Sequence, residues 1–88
     1  MVARDKISRI TAIINGDEYV IKGNAEGQHI EKVAQYVDAK MNQLTQTNRY
    51  LTPKKVAVLA AVNIADELFR LQEDYQALIK LLDEDKKV

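Results

Sequence analysis

Thr52-Pro-Lys-Lys-Val-Ala-Val-Leu-Ala-Ala-Val-Asn-Ile-Ala-Asp-Glu-Leu-Phe-Arg-Leu-Gln-Glu-Asp-Tyr-Gln-Ala-Leu-Ile-Lys-Leu-Leu82 reads as one uninterrupted helix. Thr52 suits the N-cap, and Pro53 suits the first helical position, where a missing N–H costs nothing. No proline or glycine follows. Ala57, Ala61, Ile64, Leu68, Leu71, Tyr75, Leu78 and Leu82 recur alternately four and three apart. That is a heptad repeat, with Ala57, Ile64, Leu71 and Leu78 at d and Ala61, Leu68, Tyr75 and Leu82 at a. Such a seam needs a partner helix.

Length decides where that partner comes from. A helix of roughly 30 residues is about 45 Å long. A compact globule of this chain length has a radius of gyration of about 12 Å, so it spans only about 30 Å. The second half of the helix must project, leaving Leu71, Leu78 and Leu82 in water unless another subunit covers them. At about 1.5–3 kcal/mol per large apolar side chain buried, a few such positions drive association. An obligate oligomer is expected, with Ala57, Ala61, Ile64, Leu68, Leu71, Tyr75, Leu78, Ile79, Leu81 and Leu82 at its interface. The g and e′ positions of a parallel pair would align Glu67 with Gln72 and Asp74 with Ile79, which are not salt bridges. Leu78, Ile79, Leu81 and Leu82 form a stripe wider than two helices cover, which points to a dimer of dimers.

Working outward, residues 46–52 read as a loop (Gln46-Thr47-Asn48-Arg49, then Tyr50-Leu51), and a helix precedes it over about 25–45. Ile30, Val33, Ala34, Val37, Met41 and Leu44 form its apolar stripe, with Lys32, Gln35, Ala39 and Asn42 opposite. Asn24 is the candidate cap, and Gly27 in the first turn costs up to about 1 kcal/mol. Before it, β signals run over about 9–22. Ile10, Thr11, Ile13 and Ile14 are followed by Asn15-Gly16 and then Tyr19, Val20 and Ile21, a hairpin with a type I′ turn. Ile10, Ala12, Ile14, Tyr19 and Ile21 are expected on its buried face. A two-stranded hairpin is marginal alone and must pack on a helix. Residues 1–8 and 84–88 are expected to fray.

The fold class is therefore α+β: residues 1–52 form the first part of a small head, and 53–83 form the long helix. Val56 to Phe69, apolar nearly all round, are expected to enter the head core against the first helix, the hairpin and a second subunit. Asp66 and Arg70 form an i,i+4 pair.

Thirteen basic and thirteen acidic residues cancel among 88, which argues against nucleic acid or a membrane surface as partner. The hairpin tip is acidic, whereas phosphate contacts need Lys or Arg. There is no cysteine, hence no disulfide framework or thiolate site. No apolar run spans a bilayer, and the start lacks the apolar core of a signal peptide, so a cytosolic protein is expected. His29 is the only histidine and cannot by itself build a His-based metal site. Asp66, Glu67, Glu73 and Asp74 read as solvated helix-surface charge rather than acid–base groups. The three glycines form no phosphate loop. Tyr36 and Tyr50 read as packing at the edge of the head, or else as surface aromatics of a binding patch. Asn63 either hydrogen-bonds across a subunit boundary or points into a loop. No enzyme, metal, cofactor or small-molecule ligand is expected.

Ile10-Thr11, Ile14-Asn15-Gly16 and Tyr19-Val20-Ile21, then Val33-Ala34, Tyr36-Val37-Asp38 and Met41, then Ala57 to Glu67, occur in an order that resembles the ZapA cell-division proteins. The resemblance runs over roughly residues 10–80, and the VAxYVDxxM and AVLAAxNIADE segments together are fairly specific. It implies a small cytosolic bacterial protein at the division site that binds the tubulin-like GTPase FtsZ and promotes filament association. It also implies dimers that join into tetramers through the coil. Glu26-Gly27-Gln28-His29 departs from the family pattern, where an acidic residue and no glycine are expected before the first helix. The coil also stops sooner after Leu82 than in some relatives. Filament-contacting residues do not carry over from the motifs. Exposed polar groups of the head supply candidates instead: Lys32, Gln35 and Asn42, Arg49, and Lys54 and Lys55. A generic coiled-coil oligomerisation adaptor for another protein is the alternative reading.

Overall fold

A computed structural model describes residues 7–86, with side chains through residue 84; the fraying expected of residues 1–6 and 87–88 lies outside them. The order is β1 (Ser8–Ile14), β2 (Asp17–Gly23), α1 (Gly27–Thr47) and α2 (Pro53–Lys86). β1 and β2 pair antiparallel in the register Ile10↔Ile21, Ala12↔Tyr19, Ile14↔Asp17. Asn15 (φ 52°) and Gly16 (φ 88°) take the two positive-φ positions of the turn, as the Asn-Gly pair dictates.

α1 lies along β1 rather than across both strands. Ile10, Ala12, Ile14 and Ile21 are half-buried as the alternation requires. Tyr19 shares their face opposite Ala12 but is 49% exposed, because α1 leaves the outer part of β2 uncovered. Ser8, expected to fray, instead opens β1 against Gly23.

The start of α1 corrects the expected cap. Glu26, not Asn24, is the N-cap residue, and its side chain makes no capping bond. Its carbonyl oxygen instead accepts from the N–H groups of His29 (3.0 Å) and Ile30 (3.1 Å). The departure at Gly27 has a steric reason: a Cβ there would stand 3.0 Å from Ile10 Cδ1. Glycine lets the first turn approach β1 closely.

α1 also continues through Gln46 and Thr47, which composition assigned to the loop. The hydroxyls of Thr45 and Thr47 donate to the carbonyls of Met41 (3.0 Å) and Gln43 (2.9 Å), so polar residues are accommodated within the last turns. Asn48, in an extended conformation, donates to the Leu44 carbonyl (3.0 Å) and ends the helix. At the head of α2, the Thr52 hydroxyl accepts from Lys55 N–H (3.3 Å), completing the expected cap. At the far end α2 continues past Asp83 to Lys86, where no proline or glycine stops it.

The core is small. Met41, Val56 and Ala60 are its buried centre, with Ile14, Val37, Leu44 and Leu51 packed around it. Val56 is 1% and Ala60 2% exposed, while Val58, Leu59, Val62 and Phe69 are exposed in the single chain, the part of the Val56 to Phe69 stretch expected to meet a second subunit. Within one chain α2 packs on α1 and presents only one stripe to it, and β1 reaches the same core through Ile14. The result is elongated: radius of gyration 17.8 Å and extents of 55 × 40 × 14 Å.

Candidate functional site: an uncovered seam and a polar joint

From Leu68 to Glu84 every residue of α2 is exposed. Leu68, Leu71, Tyr75, Leu78, Ile79, Leu81 and Leu82 stand among the large apolar side chains open to water. Ala57 and Ala61 are exposed as well, whereas Ile64 is half-buried and lines a shallow groove with Val33, Tyr36 and Val37. The seam thus starts at the flank of the head and continues along the rod with nothing of its own chain upon it. No helix of the described residues is long and apolar enough to cross a membrane.

The six polar candidates are all exposed but do not converge. Lys32 and Gln35 line a shallow polar groove on the N-terminal half of α1, with Glu26, Gln28, His29 and Glu31. Arg49, Lys54 and Lys55 lie at the other end of the head, about 22 Å from Lys32 along α1. There Lys54 and Lys55 flank an apolar groove of Leu51, Val58 and Leu59. Asn42 is engaged within α1, donating to Asp38 Oδ2 at 3.2 Å.

Two ties escaped the sequence reading. Asp38 Oδ1 accepts the backbone N–H of Asn15 at 2.8 Å, holding the hairpin turn against the middle of α1. The other joins the helices: Tyr36 donates its hydroxyl proton to Glu67 Oε1, and Lys40 donates to Glu67 Oε2. The Lys40 ammonium also lies 5.4 Å from the centre of the Tyr36 ring, within cation–π range. The Lys40 ammonium, then the Tyr36 hydroxyl, hold the Glu67 carboxyl below the ordinary carboxylate range. The same carboxylate, by accepting their protons, raises both Lys40 and Tyr36. Glu67 was therefore misread as solvated charge. Its position held the signal: it lies seven residues after Ala60, on the stripe that faces α1, and Tyr36 and Lys40 share one α1 face. Asp66, one residue earlier, does what its spacing indicated and accepts from Arg70 at 3.0 Å within the helix.

A hairpin-and-helix head on a helix that outruns it, with the apolar seam of that helix bare, defines a small head-and-rod protein. The chain belongs to the ZapA family: the family model "Cell division protein ZapA" matches residues 10–87. It is 36% identical over 85 residues to the cell division protein ZapA of Geobacillus sp. (strain WCH70), covering 97% of this chain and 98% of that one. It is 41% identical over 68 residues to that of Shouchella clausii (strain KSM-K16), covering 77% and 87% respectively. Among solved structures it is similar to a ZapA mutant dimer from Geobacillus stearothermophilus, with TM-score 0.70 and 36% identity over 94% of this chain and 96% of that one. It is also similar to a conserved bacterial protein of unknown function from Pseudomonas aeruginosa PAO1, with TM-score 0.62 and 27% identity over 91% and 98%. The family is a non-enzymatic one, and its role is that of a cell-division accessory.

Proposed function

We propose that this chain is a homo-oligomeric crosslinker of FtsZ filaments, working in the cytoplasm at the division site. The observation that carries the reading is the bare seam of α2, which extends beyond the head and calls for further copies of the chain. Membership of the ZapA family and the dimeric state of a solved relative support it. A dimer, joined to a second dimer where Leu78, Ile79, Leu81 and Leu82 widen the stripe, sets several heads on one rod. Each head holds a filament weakly, and linked weak sites gain avidity without new contacts. The interface residues are those of the heptad from Ala57 to Leu82 together with Ile79 and Leu81. The filament contacts are Lys32, Gln35 and Asn42 on α1 and Arg49, Lys54 and Lys55 at the far end of the head.

Co-sedimentation with purified FtsZ and GTP tests the reading. The wild type should pellet with the polymer and increase light scattering as filaments associate. Because the candidates fall into two groups, Lys32→Ala with Gln35→Ala is compared with Arg49→Ala, Lys54→Ala and Lys55→Ala combined. At least one set should weaken pelleting while self-association stays intact. Unchanged pelleting in both removes these residues as the contact surface. A wild type that oligomerises but never pellets with FtsZ overturns the reading in favour of an adaptor for another protein.

A further inference from the structure

The VAxYVDxxM and AVLAAxNIADE segments carry polar residues that core packing does not explain, among them Tyr36 in the first and Glu67 at the end of the second. In the structure they meet, with Lys40 beside them. We propose that Glu67 is a positioning residue that, by holding Tyr36 and Lys40 across the helix pair, fixes the angle at which the rod leaves the head.

The placement of the joint makes this possible. Val56 and Ala60, the buried contacts of α2, are small side chains at its beginning. With Ile64, half-buried against Val33 and Val37, they are the apolar contacts that seat the start of the helix on α1. Among the described residues Glu67 is the last of α2 to be half-buried. From Leu68 through Glu84 every residue of the rod is exposed. Glu67 lies about 16 Å from Val56 and Lys86 about 45 Å, so a slip of about 1 Å at the joint becomes roughly 3 Å at the tip. An ion pair with a second hydrogen bond and a ring beneath the ammonium is directional, which apolar packing is not. The joint acts within one protomer, so it sets rod direction whatever polymer the heads hold.

The absence of cysteine allows a direct measurement. Spin labels at Glu31→Cys on α1 and Gln76→Cys on the rod, both exposed positions, report the head–rod distance by double electron–electron resonance. Labelled chains are diluted into excess unlabelled chains so that each assembly carries one labelled protomer. The parent should give one narrow distribution. Glu67→Ala should shift or widen it by about 2 Å, because Gln76 lies about 30 Å from Val56 against about 16 Å for Glu67, with helicity and self-association retained. Asp66→Ala, which removes only a pair internal to α2, should leave it unchanged. Exchanging the charges, Lys40→Glu with Glu67→Lys, should narrow it again, which a general loss of stability would not do. If Glu67→Ala fails to fold, Tyr36→Phe is read instead, with a widening about half as large. An unchanged distribution in the variant read overturns the proposal. So does an Asp66→Ala effect of equal size, or a charge exchange that restores nothing.

Discussion

Shortening Leu71 to alanine isolates the seam from everything else in the molecule. Leu71 is 66% exposed in the single chain and touches no part of the head core. Full burial of a leucine is worth about 1.5–3 kcal/mol, so covering the part still exposed is worth about 1–2 kcal/mol. Alanine keeps some of that contact, leaving a loss of about 1–1.5 kcal/mol per side chain. A two-fold dimer contains the site twice, giving about 2–3 kcal/mol. With tenfold per 1.4 kcal/mol, self-association weakens roughly 30- to 150-fold. Alanine is the better helix former, so unwinding of the rod cannot be the cause. A sedimentation-velocity dilution series reads the constant directly, with Gln76→Ala on the polar side as the control. An association constant for Leu71→Ala within about threefold of the control, that is within about 0.7 kcal/mol, would refute the seam assignment.

Asp38→Ala, which deprives the Asn15 N–H of its acceptor, should lower stability by about 1–2 kcal/mol in urea titration; Asp38→Asn should recover part of it. Gly27→Ala should gain almost nothing, because its helix-propensity benefit of about 1 kcal/mol is offset by displacing Ile10 Cδ1. A full gain would show that the close approach to β1 has no cost. The joint also has a pH signature. The depressed Glu67 carboxyl contributes stability that is complete above the ordinary carboxylate pKa and lost as pH falls through its lowered value. The raised Lys40 contributes stability that is complete below the ordinary lysine pKa and lost as pH rises through its higher value. The stability gap between wild type and Glu67→Gln should therefore hold steady at neutral pH and close as acid titration passes through the lowered Glu67 value. A gap that widens in acid would contradict the assigned sign.

Much of the architecture could be read from local chemistry. Asn15-Gly16 specifies its turn through backbone conformation, and Thr52-Pro53 specifies a helix start through capping, so neither depends on distant residues. The heptad identifies the rod because a long helix and a short chain cannot enclose each other. What escaped depends on tertiary placement. Tyr19 was expected inside because alternation gives a face but not how much of that face α1 covers. Asn24 was expected to cap α1 because composition does not reveal that Gly27 must come close to Ile10. Thr47 was assigned to the loop because Gln46-Thr47-Asn48-Arg49 is polar in composition, whereas its hydroxyl bonds within the helix. Glu67 was taken for solvated charge because its partners lie on another helix. The seven-residue step from Ala60 was the one local clue. For the filament contacts, exposure is legible but convergence is not, and the structure separates Lys32 and Gln35 from Arg49, Lys54 and Lys55.

Equilibrium sedimentation of the wild type, followed on dilution together with far-ultraviolet circular dichroism, tests most directly whether the projecting helix obliges the chain to associate. Mass should be that of two or more chains wherever α2 is helical, and helicity should fall as the assembly dissociates. A single-chain mass with the full helical signal intact would contradict it.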